Sequence, residues 1–135
     1  MDKKELIDKV KKLNFPLGKY ALFGSAQMCL RGLRECKNID IIVTSDLYTK
    51  LKFEPIWNVA IVKSGSESLN FENIEIFRDW KPGDWNIKEL IDKAEKIEGV
   101  PFVRIENVLK WKQLMNREKD IKDIETIKNY LQINK

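Results

Sequence analysis

A chain of 135 residues, 43% of them hydrophobic, suits one globular domain over residues 1–135, with a core large enough to need no disulfide or structural metal. The absence of histidine excludes imidazole-activated serine or cysteine nucleophiles and leaves carboxylate and metal chemistry. A net charge of +4 favours a polyanionic partner such as a nucleotide or RNA without demanding one.

The two cysteines, Cys29 and Cys36, support neither a zinc site nor a disulfide framework, so a reducing cytoplasm is the expected home. Met1 leads into Asp2, Lys3 and Lys4 with no apolar run, and no stretch approaches a membrane span. Neither signal peptide nor membrane association is expected.

In chain order, Asp2 and Glu5 form a capping-box pattern ahead of Leu6, Ile7, Val10 and Leu13, predicting an amphipathic helix over 3–13. The apolar run Tyr20–Phe23 predicts a strand stopped by Gly24 and Ser25, with helix-forming residues from Ala26 to Leu30. The β-branched run Ile39–Val43 predicts a second strand, followed by a short helix over Leu47–Lys52. Trp57–Val62 and Ile74–Phe77 read as strands turning back across the polar Ser64, Gly65 and Ser66, with Leu69–Phe71 a short strand between them.

Asn86 and Glu89 open a further helix showing Ile87, Leu90, Ile91 and Ala94 on one face, ended by Gly99. Val100–Val103 reads as a brief strand, and Ile105–Met115 and Ile121–Leu131 as two helices joined around Asn116–Lys119. The order predicts an α+β domain: a mixed sheet with helices packed mainly on one side and helices at the C-terminus.

The stretch that carries chemistry is Tyr20-Ala-Leu-Phe-Gly-Ser25, twelve residues to Lys37, then Asn38-Ile-Asp-Ile-Ile-Val43. A Gly-Ser turn at a helix start turns backbone amides and a hydroxyl toward a phosphate; the plainer reading is a serine-capped turn. Positions 38 and 40 share one strand face because side chains alternate with period two, so both can reach one site while Ile39 and Ile41 pack inward. Oxygen donors gathered in this way suit Mg²⁺.

This arrangement resembles the signature of the nucleotidyltransferase superfamily, in which a strand ends in Gly-Ser or Gly-Gly and a later strand carries two acidic residues around one apolar residue. Arg31-Gly32-Leu33-Arg34, Gly99-Val100-Pro101-Phe102-Val103 and Arg117-Glu118-Lys119-Asp120 extend the likeness over most of the chain, toward compact stand-alone bacterial and archaeal members. The resemblance implies a nucleotidyltransferase-like fold and transfer of a nucleoside monophosphate from an NTP to a hydroxyl of RNA, protein or a small molecule, with Mg²⁺ or Mn²⁺ as cofactor. It assigns Asn38, Asp40 and Glu75 to the metal, Asp40 and Glu75 to catalysis, and Gly24, Ser25, Arg34, Lys112, Arg117 and Lys119 to the nucleotide. Glu75 is the best match to the family's third carboxylate, with Glu72 and Asp79 as competitors.

Asn38 departs from the pattern, since the family normally has an acidic residue there. Asparagine offers a carbonyl oxygen but no charge, so metal binding is expected to weaken. The alternative expectation is a catalytically silent nucleotide- or partner-binding module of the same fold, for example in a toxin–antitoxin or defence system. Arg34, Lys112, Arg117 and Lys119 have an equally plain reading as solvated charges or ties between the last helices. The four tryptophans read mostly as packing.

Overall fold

The computed structural model describes residues 1–134, which form six helices and seven strands. Helix α1 (Lys3–Leu13) starts where the Asp2 side chain accepts from the Glu5 amide at 3.0 Å and stops at Asn14, whose φ of 54° is left-handed. Strand β1 (Tyr20–Phe23), helix α2 (Ala26–Leu30), strand β2 (Ile39–Val43) and helix α3 (Ser45–Lys52) follow. Next come strands β3 (Asn58–Ile61), β4 (Glu67–Phe71) and β5 (Ile74–Phe77), then helix α4 (Ile87–Asp92). Strands β6 (Glu95–Ile97) and β7 (Val100–Phe102) and helices α5 (Ile105–Met115) and α6 (Glu118–Ile133) complete the chain.

The strands form one mixed sheet in the order β3-β4-β5-β2-β1-β7-β6. Pairs β2·β5 and β1·β7 are parallel and the other neighbours antiparallel. The class is therefore α+β, as the pattern predicts.

Where the pattern predicts helices mainly on one side, both faces are covered. Leu6 and Val10 of α1 and Leu47, Tyr48 and Leu51 of α3 pack with Leu22, Ile39, Ile41 and Ile76 on one face. Leu90 and Ile91 of α4, Val108 and Trp111 of α5 and Ile127 of α6 pack with Ala21, Phe23, Ile42 and Phe77 on the other. The reason is visible in β1, an unbroken apolar run whose four residues are all buried, the mark of a strand covered on both sides.

Several boundaries differ from the sequence expectation, three of them for a reason visible in the structure. Helix α4 stops at Asp92 rather than running to Gly99, because Glu98 and Gly99, at φ 51° and 82°, make a two-residue turn that folds β6 against β7. Helix α6 begins at Glu118 rather than Ile121, since the Arg117 backbone amide donates to the Asp120 carboxylate at 3.0 Å and caps it. Strand β4 begins at Glu67 because its Ser68, though polar, is fully buried in the sheet.

Candidate active site

Gly24 ends β1 with φ 63°, a left-handed conformation, and a β-carbon there would overlap the Asp40 carboxylate of the neighbouring strand. Glycine is thus required twice, by the turn and by the close approach. Ser25 caps α2 without a side-chain bond to its amides; its hydroxyl accepts instead from Arg34 at 2.9 Å. With only five residues, α2 contributes little dipole, and of the turn residues Ser25 lines the site while Gly24 lines neither of its two clefts.

Phe23 pairs with Asp40 across β1·β2, and Asp40 with Glu75 across the parallel β2·β5 ladder. Ile39, Ile41, Ile74 and Ile76 belong to the core under α1 and α3, so Asp40 and Glu75 project together from the opposite face. Of the competitors for the third carboxylate, Glu72 is exposed before β5 and Asp79 lies beyond its end; Glu75 alone is in register with Asp40. Among the described residues neither the Asp40 nor the Glu75 carboxylate accepts a hydrogen bond. Burial first, and the Glu75 charge second, push the Asp40 carboxyl up to about 7, with Lys112 pulling the other way.

Asn38 is exposed and lies one residue before β2 rather than within it. Its segment is pinned by Asn73, which takes the Ile39 amide on its backbone carbonyl at 2.8 Å and donates from its side chain to the Lys37 carbonyl at 2.9 Å. Asn73 was not legible as a site-positioning residue, because nothing in its own neighbourhood signals that it clasps a strand more than thirty residues earlier.

The basic residues form an ion-pair network. Arg34 donates to Asp123 at 2.7 Å, and the buried Lys112 ammonium lies 2.9 Å from Asp123 and 3.7 Å from Asp120. Arg117 holds Asp120 through Nε at 2.5 Å and a second nitrogen at 2.9 Å. Burial opposes the Asp120 charge, but its Arg117 hydrogen bonds and the Lys112 charge hold its carboxyl below the usual range. Asp120 and Asp123 join α5 to α6 through Lys112, and Asp123 reaches through Arg34 to Ser25. Lys119 is exposed and, among the described residues, unpaired.

Two clefts meet at these residues. One, of about 450 Å³, is lined by Ser25, Arg34, Asn38, Asp40, Lys112, Arg117 and Lys119, thus gathering seven of the expected site residues. The other, of about 660 Å³, shares Asp40, Trp111, Arg117 and Lys119 and adds Glu75, Phe77, Trp80 and Met115. Glu75 faces only the second cleft and Ser25 only the first, so the carboxylate pair stands on the divide.

Trp57, Trp80 and Trp111 are buried, with Trp80 stacked on Phe23 at 4.6 Å, which agrees with a packing role; Trp80 and Trp111 nonetheless wall the second cleft. Among the described residues no three His, Cys, Asp or Glu side chains cluster as a metal site. The donor set for a cation is instead two unpartnered carboxylates and an amide carbonyl nearby. No protein-family model, curated protein or solved structure matches the chain. No helix among the described residues is long and apolar enough to cross a membrane.

Proposed function

We propose that the chain is a divalent-cation-dependent nucleotidyltransferase of the nucleotidyltransferase superfamily, moving a nucleoside monophosphate from an NTP to a hydroxyl acceptor with release of pyrophosphate. The observation that carries this reading is the in-register pair Asp40 and Glu75, unpartnered and half-buried beside a Gly24–Ser25 turn. Two carboxylates that repel each other at this burial suit a hard cation, and the oxygen-only donor set fits Mg²⁺ or Mn²⁺. Asp40 and Glu75 would hold the ion with the Asn38 carbonyl beside them, and when bound it supplies charge neutralisation to the triphosphate and the departing pyrophosphate.

The chain's own residues do the rest. The turn amides and the Ser25 hydroxyl bind phosphate oxygens, and Arg34 keeps that hydroxyl in place through its 2.9 Å bond. Lys119 brings an unpaired positive charge to the first cleft, while Arg34, Lys112 and Arg117, held by Asp120 and Asp123, leave a single net positive charge in a fixed network of donors. Glu75, facing the second cleft, accepts the proton of the acceptor hydroxyl. The free, buried Cys29 and Cys36 support action in a reducing cytoplasm.

Asn38 favours a second reading, a nucleotide- or partner-binding module without turnover, as in a toxin–antitoxin or defence system. The two are separated by incubating the protein with α-labelled NTPs, Mg²⁺ or Mn²⁺ and pooled RNA or lysate. Transfer of label that Asp40→Asn abolishes supports the enzyme. Nucleotide binding with no transfer, even in Asn38→Asp, supports the silent module.

A further inference from the structure

The second cleft has a composition that the nucleotide reading leaves unused. Its apolar wall consists of the partly exposed Val62, Pro82 and Met115, backed by the buried Phe77, Trp80 and Trp111. Around this wall stand Lys63, Lys81 and Lys119, all exposed and, among the described residues, none in an ion pair. The carboxylates in the lining are Asp40 and Glu75, on the divide with the first cleft. The volume of about 660 Å³ lies within the range of roughly 300–1,000 Å³ typical of small-ligand sites.

Resting on the nucleotidyltransferase reading, we infer that this cleft is the acceptor subsite and that its occupant is the 3′ end of a single-stranded RNA. An unpaired base offers a flat apolar surface to Val62, Pro82 and Met115, which a duplex would keep stacked inside the helix. The phosphates before it meet the ammonium groups of Lys63, Lys81 and Lys119, which no protein carboxylate neutralises. Ser64, exposed in the same lining, offers a hydroxyl able to donate to or accept from a ribose 2′-hydroxyl, the group DNA lacks. An acidic peptide with an aromatic side chain would also complement the lysines, but it carries no ribose 2′-hydroxyl for Ser64 and no 3′-hydroxyl to accept the nucleotide.

The placement also fits the chemistry. The 3′ oxygen of the terminal ribose, beside Glu75, forms a bond to the α-phosphorus of an NTP held in the first cleft. The bond from that phosphorus to the pyrophosphate oxygen breaks, pyrophosphate leaves, and the acceptor proton passes to Glu75.

The test measures binding of a 5′-fluorescein-labelled ten-nucleotide single-stranded RNA by anisotropy over a salt series, and separately of a Mg–NTP analogue. The proteins are the wild type and the double variant Lys63→Glu with Lys81→Glu, both at exposed positions, so an unchanged melting temperature is expected. The expected result is a loss of RNA affinity of at least about tenfold and a fall of about 1.4 in the slope of log K against log salt, with NTP affinity unchanged. RNA binding that the variant leaves intact overturns the proposal, as does equal binding of single-stranded DNA or of an acidic peptide. A loss confined to the NTP analogue also overturns it, by showing that this cleft holds the donor. Cleft-dependent RNA binding by a protein that binds no NTP would retain the RNA site and reject the transferase reading, so the two failures are distinct.

Discussion

Asp40 is held at an electrostatic cost. Its ordinary pKa of 3.8 is pushed to about 7 by burial and by Glu75 in register on β5. Between about pH 4 and 7 the unfolded chain has released this proton while the folded chain keeps it. The group's contribution is therefore full below pH 4, declines as pH rises, and is gone above about 7. At 1.36 kcal/mol per pKa unit the loss is at most about 4 kcal/mol. Asp40→Asn should flatten this part of the pH profile and melt higher than the wild type at pH 8, with little difference at pH 4, as thermal unfolding at the two values would show. Mg²⁺ at pH 8 should raise the wild-type melting temperature and leave Asp40→Asn unmoved.

Asn38 is the residue where chemistry and motif diverge. It lines the same cleft as Asp40 but is exposed just before β2, so a carboxylate there would meet a cation without a heavy desolvation cost. Asn38→Asp is expected to tighten Mg²⁺ binding and to raise any transfer activity by about tenfold or more, read by calorimetric titration and by label transfer. Unchanged metal affinity with a lower melting temperature would mean that the added charge repels its neighbours in a site that takes no ion.

Among elements, the α5–α6 pair is fastened to the rest of the site by charge. Lys112 on α5 is buried with Asp120 and Asp123 of α6, and Asp123 passes the connection to Arg34 and Ser25. Removing the lysine leaves Asp120 with Arg117 alone and Asp123 with Arg34 alone, whereas losses of about 3–5 kcal/mol belong to a buried charge left with no partner. Lys112→Ala should therefore destabilise by less than that range in urea unfolding at pH 7. Asp123→Asn should destabilise less and weaken NTP binding through the freed Arg34; equal NTP affinity in that variant would show that the network serves only to hold the helices.

Over the whole molecule, what could be read from sequence was what depends on near neighbours. Helix α1 was legible because Asp2 and Glu5 mark its start, its apolar spacing runs to Leu13 and Pro16 and Gly18 follow, and β1, β2 and β5 because their apolar runs are bounded by turn residues. Period-two alternation was enough to direct Asp40 and Glu75 away from the isoleucine core, and the parallel register of β2 and β5 then made them neighbours. Strand β6 and its pairing with β7 were hidden because Ile87 to Ala94 has helical spacing and Gly99 reads as a helix stop as readily as the second residue of a hairpin turn. Coverage of both faces was signalled locally only by the unbroken apolar run of β1; that α4 to α6 are the helices returning to the second face is encoded by no local pattern. The second cleft was illegible because it draws Val62, then Phe77, Trp80 and Pro82, then Trp111 and Met115 from three separate segments.

In the proposed function Asp40 and Glu75 together hold a divalent cation with the triphosphate of an NTP. The most direct test is calorimetric titration of a non-hydrolysable NTP analogue into the wild type, Asp40→Asn and Glu75→Gln, each with Mg²⁺ and with EDTA. Binding to the wild type that requires Mg²⁺ and falls by at least about tenfold in both variants is the predicted result. Analogue binding that is the same with and without Mg²⁺, or unaffected by either substitution, would contradict it.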